Sequence, residues 1–240
     1  MKKQLKSIIL SSISVLFFAS TASAQQTKSL NLPGYDKEKL HFGFSLSVNQ
    51  ADFALYRSTA TTGPDSMMSV NSIPDYGFNL GIVSDLRLHE YLTLRFLPAL
   101  SFQSRVLEYN IHSPSTPNIP FYVETKRIES TLLDFPILLK LRSERLNNMS
   151  AYLLGGGKFS VDLASQAKTN NPEIVKLTNK DWSVEAGFGL DFYLEYFKLS
   201  AEVKFSAGLR DRLFHDGTPY TAPIGSVFTK IWIFSLNFEG

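Results

Sequence analysis

The sequence predicts an all-β fold: an eight-stranded antiparallel transmembrane β-barrel with short periplasmic turns and long external loops. Three observations lead to this prediction. Eight segments alternate apolar and polar residues with a period of two, which is the pattern of a β-strand with two different faces. Short connections between these segments alternate with long polar ones. After the N-terminal segment no apolar run approaches the roughly 18 residues of a membrane-spanning helix.

The N-terminal segment 1–24 has the pattern of a secretory signal peptide. A basic start, Met1–Lys6, precedes the mostly apolar stretch Ile8–Ala19, and the small residues Ala22–Ala24 form an A-x-A cleavage site. The alternative is an N-terminal membrane anchor, but about 12 apolar residues interrupted by serines fall short of the roughly 20 that a spanning helix needs. We therefore expect this segment to be removed on export.

The rest of the chain is predicted to contain two parts, a periplasmic lead-in at 25–40 and an outer-membrane β-barrel domain at 41–240. Removal of the three lysines of the signal peptide changes the formal net charge from +2 to −1. That near-neutral balance argues against nucleic acid as a partner. The chain has no cysteine, so as an exported protein it depends on packing or on the bilayer for its stability.

Two segments show the alternation most clearly. In the first, one face carries Trp182, Val184, Ala186, Phe188, Leu190 and Phe192, whereas the other carries small and acidic residues. In the second, one face carries Phe197, Leu199, Ala201, Val203, Phe205, Ala207 and Leu209, and the other carries serines, a glycine and charged residues. A helix would scatter these apolar residues around its axis, so 182–192 and 197–210 are predicted to be strands.

Six further segments show the same pattern: 42–49, 76–82, 92–105, 133–141, 151–159 and 229–238. Three connections are short, at 86–90, 142–148 and 195–196. Four are long and polar, at 50–75, 107–121, 162–181 and 211–225. An even number of strands, each about 9–11 residues long, with connections that alternate in length is typical of an outer-membrane barrel.

The two faces of the strands indicate which environment the barrel occupies. In a soluble barrel such as a lipocalin, the apolar face points inward around a ligand. Here the polar face interleaves small residues with charges of both signs, which suits the narrow interior of an eight-stranded barrel. The other face is continuously apolar. We therefore expect it to contact lipid, with the aromatic residues, 13% of the chain, on that face and at the two membrane interfaces.

Charged side chains on the polar face are predicted to form a paired network that fills the barrel. A buried charge without a partner costs several kcal/mol or more, and the five cations and four anions of this set are nearly balanced. The functional alternative is a path for protons or ions. The predicted members are Arg95, Arg105, Asp134, Lys140, Glu185, Asp191, Glu202, Lys204 and Arg210.

No pattern in the sequence indicates a catalytic residue, a cofactor or a metal site. Cysteine is absent, and the four histidines have no ligand spacing: they are His41, His89, His112 and His215. The run Gly155–Lys158 is similar to part of a phosphate-binding loop, but Phe159 stands where that motif requires Ser or Thr. Close approach or strong curvature of a strand is the preferred interpretation of the glycines.

An enzymatic site at the external rim, built from Asp, His and Ser as in outer-membrane proteases and acyltransferases, is the catalytic alternative. Two groups of loop residues could be combined in this way: His112 with Ser113 or Ser115, and Asp211 with His215 and Asp216. We interpret them as polar loop residues in water. Three prolines at 114, 117 and 120 make the loop after His112 stiff and extended, which suits a contact surface more than a catalytic one.

Several strings are similar to those of one known family. They are Asn31–Asp36 followed by Leu40–Phe44, then Leu94–Pro98, Leu133–Lys140, Tyr152–Gly157 and Gly187–Tyr193. Together they resemble the PorT family of Bacteroidetes outer-membrane barrels over nearly the whole mature chain. In one respect the chain departs from other barrels, which usually end on an aromatic residue, because Phe238 is followed by Glu239 and Gly240.

The resemblance implies an integral outer-membrane barrel that takes part in type IX protein secretion, and in gliding motility in related organisms, without enzymatic activity. Outer-membrane lipid and other type IX secretion components would be its partners. No nucleic acid, small-molecule substrate or cofactor is expected. The alternatives are a generic small barrel with a structural or adhesive role and an outer-membrane enzyme with a rim site.

Overall fold

The computed structural model describes residues 29–58, 67–112, 121–164, 176–214, 221 and 224–240. The chain divides into two units, Met1–Leu30 and Asn31–Gly240. Only two residues of the first unit are described, so the predicted signal peptide at 1–24 lies outside the described residues. In the second unit a turn of 3-10 helix at Tyr35–Lys37 precedes the strands. Within the described ranges no helix is long and apolar enough to cross a membrane.

Nine strands form in the described part of the second unit. They are β1 (Leu40–Arg57), β2 (Met67–Arg87), β3 (Leu92–Phe96), β4 (Ala99–His112), β5 (Phe121–Arg142), β6 (Met149–Asp162), β7 (Lys180–Tyr193), β8 (Lys198–Gly208) and β9 (Ile224–Glu239). The sheet runs from β1 through β9, β8, β7, β6 and β5 to β3 and β4, then to β2, and β2 pairs with β1. All pairings are antiparallel, so the predicted antiparallel barrel is confirmed.

β3 and β4 occupy one position in the barrel, since each pairs with β2 on one side and with β5 on the other. They correspond to the single predicted strand 92–105, which is interrupted at Leu97 and Pro98. Proline has no N–H to donate to a ladder, so regular pairing stops there. The alternation continues across the break, because Arg95, Leu97 and Ala99 are all buried. The barrel therefore has the eight positions that the sequence predicts.

Several strands are longer than the sequence predicts. β1 extends to Arg57 and β2 begins at Met67, so most of the predicted loop 50–75 is strand. In the same way β4 extends into the predicted loop 107–121 as far as His112, and β5, which begins at Phe121, reaches 22 residues. These predicted loop boundaries are wrong.

A reversal in the polarity of the interior explains the missed strand ends. Along most of the barrel, outward side chains such as Phe44, Phe188 and Phe234 are apolar and exposed, and inward ones are mostly polar. At the end with the long connections, the long-loop end, the interior is apolar instead, so the apolar-outward pattern no longer marks a strand. There a cluster that we call the outer apolar core contains Phe53, Leu107, Tyr109, Ile111, Leu177, Leu213, Ile224 and Val227.

Candidate functional site in the barrel interior

The barrel interior contains as many buried cations as buried anions among the described residues. The eight cations are Arg95, Arg105, Lys140, Lys158, Lys176, Lys198, Lys204 and Arg212. The eight anions are Asp85, Asp134, Asp162, Asp181, Glu185, Asp191, Glu202 and Glu239. Charges withdrawn from water are costly unless they are paired, and equal numbers of each sign bring the described interior close to neutral.

Arg95 is the most connected member of this set, and its side chain is fully buried. Its Nε and Nη2 atoms each donate a hydrogen bond of 2.7 Å to one oxygen of Asp85. Nη1 donates to Glu202 at 3.0 Å, and Nη2 also donates to Glu239 at 2.7 Å. A planar guanidinium with five donors can satisfy several carboxylates at once, so a single arginine on β3 joins strands β2, β8 and β9.

A chain of ion pairs continues from Arg95 towards the long-loop end. The Nζ atom of Lys204 lies 3.0 Å from Glu202 and 4.0 Å from Glu185. Lys158 then bridges Glu185 at 2.9 Å and Asp134 at 3.8 Å. Because cations and anions alternate in space, each is held between opposite charges.

A second branch lies towards the end with the short connections, the short-turn end. Lys140 Nζ is 2.9 Å from Asp191 and 3.8 Å from the ring centre of Tyr152, close enough for a cation–π contact. Lys198 Nζ is 2.6 Å from Glu239. Lys198 therefore joins this branch to one carboxylate of Arg95, and the Ser200 hydroxyl, within hydrogen-bond distance of both Asp191 and Glu239, connects the Lys140 pair to it.

Most of the nine charged residues that the sequence predicts in the barrel interior form ion pairs there. Seven of the nine lie in these ion pairs: Arg95, Asp134, Lys140, Glu185, Asp191, Glu202 and Lys204. Arg105 is buried but belongs to none of the ion pairs of the described residues. The inclusion of Arg210 is wrong, because β8 ends at Gly208 and the Arg210 side chain is exposed beyond it.

Sequence reasoning missed several buried charges near strand ends. Asp85 continues the inward alternation of β2, but that strand was expected to stop at 82. Glu239 continues the alternation of Ser235 and Asn237, so its place after Phe238, a departure from other barrels, puts a carboxylate beside Arg95. Both could have been found by extending the period-two pattern.

The short-turn end is closed by residues 31–37, which we call the basal plug. Tyr35 is 7% exposed, and its hydroxyl donates to Glu239 at 3.2 Å. Its ring stacks on His41 with centroids 3.8 Å apart, and Lys198 Nζ lies 4.7 Å from the ring centre. Burial raises the pKa of the Tyr35 phenol above its ordinary value, so it stays a neutral donor. Part of the predicted lead-in 25–40 is thus packed against the barrel.

Asp36 and Asn31 attach the basal plug to the turns around it. Asp36 accepts hydrogen bonds from Arg142 and, at 3.1 Å, from the hydroxyl of Tyr193, and it lies 3.6 Å from Arg145. Asn31 donates to the carbonyl of Tyr193 at 3.0 Å. Partial burial opposes ionisation of Asp36, but the hydrogen bonds from Arg142 and Tyr193 and the charges of Arg142 and Arg145 together outweigh it and hold the pKa of that carboxyl below its ordinary value.

Two small cavities lie in the described interior. One cavity of about 20 Å³ lies among Asn79, Asp134 and Lys158, and another of about 30 Å³ lies between Tyr35 and Lys140. Each has room for one or two water molecules. Ion pairs occupy the middle of the described interior, with the basal plug at one end and the outer apolar core at the other.

The residues of the catalytic alternative are mostly not described. Outside the described residues lie the side chain of His112 and all of Ser113, Ser115, His215 and Asp216. Asp211 is described, and its Oδ1 atom accepts the N–H groups of Leu213 and Val227 at 3.0 and 2.8 Å. That carboxylate therefore connects the chain after β8 to the start of β9. In the described ranges no three or more His, Cys, Asp or Glu residues group as metal ligands.

The glycine run lies in the middle of β6. A β-carbon on Gly156 would overlap the carbonyl oxygen of Ile137 on β5, so this position requires glycine for close strand approach. Lys158 points into the barrel and pairs with Glu185, which leaves it unsuited to a phosphate-binding loop.

Comparison with known proteins gave one family match. The model described as "Outer membrane protein beta-barrel domain" matches residues 23–213, more than half of the chain. A search of curated proteins found no match.

Three solved structures of outer-membrane proteins are similar to this chain. OprG from Pseudomonas aeruginosa is 13% identical, with 83% of this chain and 92% of that chain covered and a TM-score of 0.43. Neisserial surface protein A is 10% identical, with coverages of 84% and 99% and a TM-score of 0.43. Ail of Yersinia pestis is 12% identical, with coverages of 85% and 100% and a TM-score of 0.37.

Proposed function

This chain belongs to the outer membrane protein beta-barrel domain family, and from that premise we propose that it is a closed, non-enzymatic component of type IX protein secretion. The protein is located in the outer membrane, where the apolar outer face of its strands contacts lipid. Its basal plug and short turns face the periplasm, and its long connections face the outside.

The observation that carries the proposal is that the strings resembling PorT meet at one place, the short-turn end. Asp36, from the first string, accepts a hydrogen bond from Tyr193, the last residue of another. Lys140, which ends a third string, pairs with Asp191 at 2.9 Å. Strings that are far apart in the chain thus come into contact at one end of the barrel, and this supports the proposal that they serve one shared role there.

The closed interior limits how such a barrel could take part in secretion. The described interior holds ion pairs and cavities for one or two waters, far too little space for a polypeptide. Exported proteins would therefore pass elsewhere, and this barrel would act through its surfaces, as a membrane-anchored partner of other type IX components.

Deletion of the gene in its own organism, followed by measurement of type IX cargo in the medium, tests the proposal. We expect cargo to be retained in the cells and to return to the medium when the wild-type gene is supplied. Normal secretion in the deletion strain would contradict the proposal. If secretion were normal but adhesion or envelope integrity were lost, the alternative of a structural or adhesive barrel would be supported instead.

Complementation with plug variants adds a sharper test of the periplasmic base. Tyr35→Ala removes the ring that stacks on His41 and the hydroxyl that donates to Glu239, whereas Tyr35→Phe removes only the hydroxyl. We expect Tyr35→Ala to restore secretion poorly and Tyr35→Phe to restore it well, at equal amounts of assembled barrel. Full restoration of secretion by Tyr35→Ala would contradict a role for the basal plug in secretion.

A further inference from the structure

Two buried arginines lie where the charged interior meets the outer apolar core, and their hydrogen-bonding groups are largely unused. Arg105 has no exposed surface, and its guanidinium lies 4.7 Å from the ring centre of Phe53. Its Nη2 atom donates to Gln103. Its Nε and Nη1 atoms have no hydrogen-bond partner, and the ion pairs of the described residues do not include it.

Arg212 is in a similar position. It too has no exposed surface. Its Nη2 atom donates to Asp162 at 3.3 Å and to the carbonyl of Thr178 at 2.9 Å, but its Nε and Nη1 atoms have no partner. The hydroxyl of Thr178 also lacks a partner. Four guanidinium nitrogens on two arginines are therefore buried without acceptors, a costly arrangement if nothing else is bound.

The carboxylates around the two arginines do not supply the missing hydrogen-bond acceptors. Arg212 repels Arg105, and the anions that attract Arg105 are Asp181, Asp162 and Asp134. Asp162 already accepts from Arg212, and Asp134 lies 3.8 Å from Lys158 and accepts from Ser160. Asp181 Oδ1 has no hydrogen-bond partner, and neither do Nε and Nη1 of Arg105, so these atoms are not bonded to each other.

We propose that Arg105 and Arg212 together hold a small oxyanion of the phosphate or sulfate class inside the barrel. An oxyanion would accept from the free Nε and Nη1 groups of both arginines, and it would cancel their mutual repulsion, which a neutral water molecule would not do. The guanidinium fork matches two oxygens of such an anion. The site lies beneath the outer apolar core, so it suits a free ion and excludes a lipid headgroup with its chains.

Anomalous scattering locates such an ion directly. Crystals of the mature barrel in detergent, soaked in selenate, should give a selenium peak between the two guanidinium groups. Water density alone, or a direct hydrogen bond between Arg105 and Asp181 with no anion, would overturn the proposal.

Thermal unfolding of the detergent-solubilised protein gives a second readout. A ligand that binds only the folded state raises its stability in proportion to the logarithm of ligand concentration. We therefore expect the unfolding midpoint to rise with phosphate at constant ionic strength, whereas chloride alone has a smaller effect. Equal midpoints in phosphate and chloride would count against the site.

Matched variants separate this site from general salt effects. Arg105→Gln should lose the phosphate-dependent shift, whereas Arg210→Gln, at an exposed arginine beyond the end of β8, should keep it. If Arg105→Gln does not fold, Arg212→Gln serves in its place, with the same expected loss. A shift that survives in the folded variant would refute the assignment. This inference is independent of the role in secretion, which the deletion experiment tests separately.

Discussion

The substitution Glu202→Gln tests the ion-pair network at one of its most connected carboxylates. Glu202 is fully buried; it lies 3.0 Å from both Arg95 and Lys204 and accepts from the hydroxyl of Tyr152 at 2.8 Å. Glutamine preserves the shape of the side chain and removes its charge. Arg95 keeps two carboxylates, but the nearest carboxylate left to Lys204 is Glu185 at 4.0 Å.

The expected loss of stability arises because Lys204 stays buried without its close carboxylate partner. Removal of one partner from a buried ion pair costs about 3–5 kcal/mol, because the remaining charge stays in a medium that solvates it poorly. We expect the free energy of unfolding of Glu202→Gln to fall by about that amount. Glu195→Gln, in the exposed turn between β7 and β8, should change it by less than about 0.5 kcal/mol.

Urea unfolding in lipid vesicles, followed by the mobility shift of folded barrels on unheated SDS gels, measures both variants. A double variant, Glu202→Gln with Lys204→Met, restores charge neutrality and should recover a large part of the loss, since a buried pair can often be replaced without cost. If Glu202→Gln unfolded at the same urea concentration as the wild type, the interior would not depend on paired charges and the reasoning would be refuted.

Three further predictions concern the basal plug and the packing of the strands. In Tyr35→Ala, hydrogen-exchange protection of residues 31–37 should fall while that of the barrel is retained, and unchanged protection would show that the ring does not hold the plug. Because Arg142 holds the pKa of Asp36 below its ordinary value, this carboxylate contributes fully above about pH 4 and its contribution is lost as the pH falls through the lowered pKa. Hydrogen-exchange protection of the plug should therefore be constant between about pH 5 and 8 and fall only below about pH 4. In Asp36→Asn the protection should be weak at every pH. A loss of protection near neutral pH in the wild type would contradict the assignment. Gly156→Val should block assembly because a β-carbon there overlaps a carbonyl oxygen of the next strand, whereas Gly157→Ala, which meets nothing within 4 Å, should give the folded mobility on gels.

The eight barrel positions could be predicted because lipid imposes a strict rule on the strands that cross it. Apolar side chains must point outward, so a period of two in the sequence directly gives the inward set, including Arg95, Glu185 and Glu202. The rule ends where the membrane-facing band ends. Towards the long-loop end Phe53 and Leu107 point inward, which explains why the sequence predicts loops where β1 and β4 extend.

The pairings themselves could not be predicted from one sequence. Arg95 and Glu202 are 107 residues apart, and only the closure of the barrel and the register of its strands bring them together. The prediction that Arg210 lies in the interior is wrong because the alternation of β8 gives no signal that the strand stops at Gly208, two residues earlier. The docking of Tyr35 depends on a pocket formed by residues from β1, β8 and β9, which no local pattern reveals.

The orientation of the two strand faces is tested most directly by tryptophan fluorescence in vesicles. The chain has two tryptophans, Trp182 and Trp232, both on outward faces and 55% and 48% exposed. Lipids with brominated acyl chains quench indoles that contact hydrocarbon, so we expect strong quenching by these lipids and weak quenching by acrylamide in the water. Emission that brominated lipids leave unchanged would place both indoles away from the bilayer and contradict a barrel with its apolar face in lipid.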